Sequence, residues 1–108
     1  MVTQSQIQQL VNEIAVGYKP DKIYLFGSYA NGTATKDSEI DLFIVKDTTE
    51  RKKDRVETVL NILDINTYPN VGVDFIIFTP KEIEATNKYV ISIAKEAIKT
   101  GKLLYERV

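Results

Sequence analysis

Three short runs of β-branched and aromatic residues punctuate this chain: KIYLF at 22–26, IDLFIV at 40–45 and VGVDFIIF at 71–78. Each has the length of a strand rather than of a helix. The stretches around them have a different rhythm. Ile7, Leu10, Val11, Ile14 and Tyr18 recur at helical spacing. Ahead of them, Thr3 and Gln6 make a capping-box pattern, and Val2 and Ile7 are placed for a hydrophobic staple. Gly17 and Pro20 mark the expected end of this helix. Asp47 followed by Glu50 is an expected helix start. Val56, Val59, Leu60 and Leu63 would be its buried face, and ERKKDR (50–55) its solvated beginning. TPKE (79–82) supplies a Thr cap, a Pro at the first helical position and a Glu at the third. Helical pattern then runs, with a break near Asn87, to a cap at Gly101. KLLYE (102–106) is an expected last strand. Alternating strands and helices predict an α/β class, and 108 residues suit a single domain over 1–108. VGVDFIIF is apolar on both faces, which predicts an internal strand.

Composition removes whole classes of chemistry. There is no Cys and no His, so thiolate nucleophiles, imidazole bases and Cys/His zinc sites are excluded. The net charge of −1 argues against strong nucleic-acid binding through charge. MVTQSQIQQL lacks the basic and apolar regions of a signal peptide, and no apolar run approaches the roughly 20 residues needed to span a bilayer. The expectation is a soluble cytoplasmic protein with no membrane partner.

Carboxylates stand out against this background. Glu39 and Asp41 lie two residues apart at the head of IDLFIV. On a strand, residues i and i+2 share a face, so the two charges would be neighbours and would repel unless a cation lay between them. Asp74 starts the apolar half of VGVDFIIF, where an unpaired carboxylate is costly. If that strand neighbours 40–45, all three acids converge. Oxygen donors without nitrogen or sulfur suit a hard cation, Mg²⁺ first. Just upstream, Gly27 and Ser28 open the short segment SYAN, closed by Gly32. Gly27 allows close backbone approach, and a Ser hydroxyl at a helix start can donate to a phosphate.

GSYANGTATKDSEID resembles the signature of the nucleotidyltransferase superfamily that includes DNA polymerase β. Gly27-Ser28, ten residues, then Glu39-Ile40-Asp41 matches its spacing. SYANG matches its Ser-x-Ala-x-Gly, and Asp74 takes the place of its third acid. The small size and the GKLLYE ending are similar to minimal nucleotidyltransferases (MNT) of the HEPN/MNT toxin–antitoxin type. Such a resemblance implies a nucleotidyltransferase fold, with a mixed β-sheet and helices mainly on one face. It implies Mg²⁺ held by Glu39, Asp41 and Asp74, with the same three residues catalytic. Gly27 and Ser28 would bind the nucleotide. The implied activity moves a nucleoside monophosphate, AMP from ATP, to a hydroxyl of a helical HEPN-type partner. One departure stands out: the family's first acid is Asp, and here it is Glu39. A catalytically impaired antitoxin that acts by contact is therefore the alternative.

Plainer roles stay open for the same residues. Ser28 can be only a helix cap, Glu39 and Asp41 a solvated strand entrance, and Asp74 a satisfied strand-start residue. Arg51, Lys52, Lys53 and Arg55 are expected on a solvated face, with Arg51 or Arg55 the alternative phosphate or partner contact. Tyr24, Tyr29, Tyr89 and Tyr105 are expected to pack. Ile83, Val90, Ile91, Ile93, Ala94, Ala97 and Ile98 exceed one narrow stripe; some of them are expected either at an interface with a partner or a second copy, or in ordinary core packing.

Overall fold

A computed structural model describes residues 2–64, 72–88 and 92–108. The first helix, α1 (Gln4–Tyr18), begins with the expected capping box: the Gln6 N–H donates to the Thr3 hydroxyl at 3.2 Å, and the Thr3 N–H donates to the Gln6 side-chain Oε1 at 2.8 Å. It does not stop at Gly17. Lys19 takes the left-handed cap position, φ 54°, and its N–H bonds the Ala15 carbonyl. Gly17 instead lets a second helix approach, because a Cβ there would land on a methyl of Ile62.

Four strands form one sheet: β1 (Lys22–Phe26), β2 (Ile40–Val45), β3 (Val73–Phe78) and β4 (Lys102–Glu106), in the order β3-β2-β1-β4. β1 pairs antiparallel with β2 and β4, while β2 and β3 run parallel. The sheet is mixed, as expected. β3 starts at Val73, later than the apolar run suggests; Val71 lies outside the described residues. It is also an edge strand in this sheet, not an internal one. Its two apolar faces are explained by helices on both sides. Phe75 and Ile77 pack in the cluster that holds Val59 and the α1 stripe, and Ile76 and Phe78 pack with Phe43, Ala94 and Ala97.

The two longest helices, α1 and α3 (Lys52–Ile62), share one face of the sheet, over Ile23, Leu25, Ile40, Leu42 and Ile44. The shorter α4 (Pro80–Thr86) and α5 (Ile93–Thr100) cover Tyr24, Phe43 and Val45 on the other. In chain order the earlier helices thus cover one face and the last two the other, around a sheet whose internal strand β2 is buried at five of six positions. Of the apolar residues in the last helices, Ala94 and Ala97 are buried, Ile83 is half-buried, and Ile93 and Ile98 are exposed. Tyr89, Val90 and Ile91 lie outside the described residues. Tyr24, Tyr29 and Tyr105 all pack, as expected.

The crossover from β2 to β3 departs from expectation in an informative way. Asp47 does not cap α3; Arg51 stands at the N-cap, with no side-chain cap bond. Glu50 works elsewhere. Its carboxylate accepts from Thr58 Oγ1 at 2.5 Å and Tyr18 Oη at 3.1 Å. These bonds, the Thr58 one foremost, hold Glu50 below the usual carboxylate range. Burial, helped by the nearby Glu50 charge, pushes the Tyr18 phenol up to about 12. Val59 is buried on α3, but Leu60 is exposed. Arg55 is not on a solvated face: it is 5% exposed. Its guanidinium donates to the Glu50 carbonyl at 3.0 Å, to the Ile77 carbonyl at 3.1 Å and to both Glu82 oxygens, the nearer at 2.6 Å. One side chain thus ties α3 to β3 and to the first turn of α4. Such a fork of donors satisfied on three sides is the arrangement in which a buried arginine is tolerated.

Burial would raise the Glu82 carboxyl, but the bonds from Arg55 and from the Thr79 N–H, with the charges of Arg55 and Lys52, outweigh it and hold Glu82 below its ordinary value. A depressed acid stabilises the fold fully above its unfolded pKa and loses that contribution as pH falls through the folded value. Arg55→Met is therefore expected to cost about 3 kcal/mol at neutral pH, because it strands Glu82 beside the core. Urea unfolding should show that cost shrinking once the pH drops below about 4, roughly where carboxylates take up protons. An equal cost at pH 7 and at low pH would show that the pair contributes no charge-dependent stability.

Candidate active site

β2 leaves one of its six side chains only half-buried, that of Asp41. It faces Phe26 at the end of the β1–β2 ladder, and in the parallel ladder it stands in register with Asp74. The neighbouring strands that the sequence required for convergence are thus present. Asp41 and Asp74 each lie two residues from Phe43 and Ile76 on their strands, so both acids belong to the face covered by α4 and α5, at the opposite end of β2 and β3 from the Arg55 network. Asp74 is exposed, so the desolvation cost expected for it does not arise. Glu39 is exposed just ahead of β2 and lies across Gly72: a Cβ on Gly72 would come within 2.9 Å of the Glu39 Cγ. The Ile40 N–H, donating to the Gly72 carbonyl at 2.8 Å, fixes the two backbones there.

Gly27 follows β1 directly and caps α2 (Ser28–Asn31). Its φ of 75° and ψ of −154° form a combination that only glycine adopts easily. A Cβ on Gly27 would also strike a carboxylate oxygen of Asp41. The turn after β1 and the acid on β2 therefore share one small space. The Gly27 carbonyl accepts from the Ala30 and Asn31 N–H groups, each at 3.1 Å, and Gly32, φ 82°, ends the turn. The first amides of such a turn have no acceptor within it, and the half-buried Ser28 stands at its start.

The acids sense one another. Burial first, then the charges of Asp74 and Glu39, push the Asp41 carboxyl above its ordinary value. Among the described residues, however, no three carboxylates close into a ready-made metal cage. The donor chemistry still fits a hard divalent ion: carboxylate oxygens only, mutually repelling, with an unhindered backbone beside them at Gly27. An apolar cavity of about 380 Å³ lies elsewhere, between α1, α2 and β4, with Ile7, Leu25, Tyr29, Lys102 and Leu104 in its walls. None of the three acids lines it. No helix among the described residues is long and apolar enough to cross a membrane.

Sequence reasoning named Gly27, Ser28, Glu39, Asp41 and Asp74, and the fold gathers them at one end of the sheet. It did not single out Gly72. A glycine two residues before an acid, at the entrance of a strand, was the available signal.

The profile of the family "Polymerase beta, Nucleotidyltransferase" matches residues 8–108. No curated protein matches the chain. Among solved structures, a candidate nucleotidyltransferase from Sulfolobus solfataricus superposes with a TM-score of 0.62 at 21% identity, over 94% of this chain and 78% of that one. A toxin–antitoxin structure with AMP-PNP superposes with a TM-score of 0.63 at 21% identity, over 93% of this chain and 73% of that one. A mutant of the toxin–antitoxin MntA-HpeT gives 0.58 at 21% identity, over 98% and 75%. At such identities the likeness speaks for the fold.

Two expectations follow from the geometry. A carboxyl whose folded pKa is raised destabilises the fold when ionised, so the penalty is present at neutral pH and relieved as pH falls. Asp41→Asn should accordingly melt higher at pH 7, by roughly 2 °C after allowing for solvent screening at a half-buried site. A lower melting temperature would mean that the carboxylate is held by favourable contacts instead. Gly27→Ala should cost about 1–3 kcal/mol by denaturant unfolding, the range for a side chain forced into such a backbone conformation.

Proposed function

Because the chain belongs to the polymerase β nucleotidyltransferase family, we propose that it transfers a nucleoside monophosphate, AMP from ATP, to a hydroxyl of a partner protein, a HEPN-type toxin. The observation that carries this reading is the register of Asp41 with Asp74 beside Gly27, which puts paired acids next to a turn able to take phosphate. Structural neighbours that are toxin–antitoxin proteins, one with AMP-PNP, support the choice of nucleotide and of a protein partner.

Glu39, Asp41 and Asp74 would hold Mg²⁺. A divalent ion held by these residues would supply positive charge against the charge that develops on the leaving pyrophosphate. Gly27 lets the turn come close to the β- and γ-phosphates, and the Ser28 hydroxyl donates to them. The acceptor oxygen attacks the α-phosphorus, the bond to pyrophosphate breaks, and a carboxylate takes the hydroxyl proton. In a chain without His a carboxylate is the natural base. Asp74 suits that task, since it is exposed and a bulky acceptor can reach it.

Two observations favour a second reading. Among the described residues the acids do not form a closed cage, and the first of them is Glu where the family has Asp. A protein that keeps the fold and neutralises its toxin by contact would tolerate both features.

Incubation with labelled ATP, Mg²⁺ and the product of the adjacent gene separates the two. Slow but measurable labelling is expected, faster in Glu39→Asp and absent in Asp41→Ala and Asp74→Ala, with the fold retained. Misplacing a reacting group by about 1 Å costs up to roughly 10²-fold in rate, which sets the scale for Glu39. No labelling by the wild type or by Glu39→Asp with any of the four nucleotides would reject transfer. If Asp41→Ala then still neutralises the toxin, the contact reading holds.

A further inference from the structure

Glu39 carries one methylene more than an aspartate would, and that length has to go somewhere. Its Cγ passes over the Cα of Gly72, 2.9 Å from where a Cβ would be, with Cδ and Oε1 each 3.5 Å from the same point. Real Cβ atoms do not approach a carbon that closely, so any other residue at 72 would push Glu39 aside. Space, not backbone freedom, is what the glycine supplies. The positive-φ glycines are Gly27 and Gly32, and Gly72 is not among them. An alanine could adopt its backbone. The hydrogen bond from Ile40 to the Gly72 carbonyl holds the two segments in register, so the gap cannot open by sliding.

We infer that Gly72 is a positioning residue for Glu39: the missing Cβ leaves room for the detour by which the longer side chain brings its carboxylate back toward Asp41 and Asp74. An aspartate reaches the same acids through its Cβ–Cγ bond alone and needs no detour. Glycine at 72 and glutamate at 39 are then two halves of one adjustment. This role at the metal and nucleotide site rests on the nucleotidyl-transfer reading; the packing of Glu39 on Gly72 does not.

The test is a cycle of four full-length proteins: wild type, Gly72→Ala, Glu39→Asp and the double variant. Each is examined by NMR without ligand, by calorimetry with Mg²⁺-ATP and by thermal unfolding. In the wild type, nuclear Overhauser contacts should join the Glu39 γ-protons to the Gly72 α-protons. Their absence overturns the placement whatever the binding. Gly72→Ala should weaken Mg²⁺-ATP binding roughly tenfold, as is common when a group supporting a ligating residue is lost. In the Glu39→Asp background the same substitution should change binding less than about twofold, with a comparable melting temperature throughout. A tenfold loss in both backgrounds, or no loss in the wild-type background, overturns the inference. A wild type that shows the contact but binds no Mg²⁺-ATP rejects the proposed function and leaves the packing of Glu39 on Gly72 established.

Discussion

The parallel pairing of β2 with β3 is the constraint on which the rest of this molecule depends. Parallel neighbours cannot be joined by a hairpin; they need a crossover, and here α3 makes it. The crossover must be held against the sheet, and Arg55 does this by bonding a β3 carbonyl and an α4 carboxylate at once. With the far end of β3 tied in this way, the near ends of β2 and β3 keep a register that pairs Asp41 with Asp74. The candidate site is thus set by a polar network at the other end of the same two strands.

This arrangement separates two electrostatic tasks. At one end, Arg55 and Glu82 have opposite charges and satisfied hydrogen bonds, so charge there supports the fold. At the other, Asp41, Asp74 and Glu39 have like charges, so charge there opposes it. Acids that repel one another in the resting protein are what a cationic ligand can exploit.

The elements were legible in the sequence because local chemistry announced them. Thr3 with Gln6 and Thr79 with Glu82 form the two capping boxes that their spacing suggested. The strands at 22–26, 40–45 and 102–106 have the limits that their composition implied. Misreadings arose where tertiary contacts decide. Arg55 looked like part of a solvated basic run, because one-dimensional spacing cannot reveal a carboxylate 27 positions away. VGVDFIIF looked internal, because burial of both faces by helices resembles burial between strands. The acids were recognisable as a group from spacing and family likeness, but their packing on Gly27 and Gly72 depends on how the chain returns to them.

The last strand has a bearing on how the protein is made. β1 finds one neighbour, β2, at residues 40–45, but its other neighbour, β4, comes from residues 102–106. Loop closure over such a separation is slow to be rewarded, since the connecting chain must be ordered before the contact forms. During translation β1 therefore carries an open hydrogen-bonding edge until almost the whole domain has left the ribosome. Open edges of this kind invite pairing with other chains. A chaperone present before β4 emerges would meet the domain with one edge of β1 still unpaired.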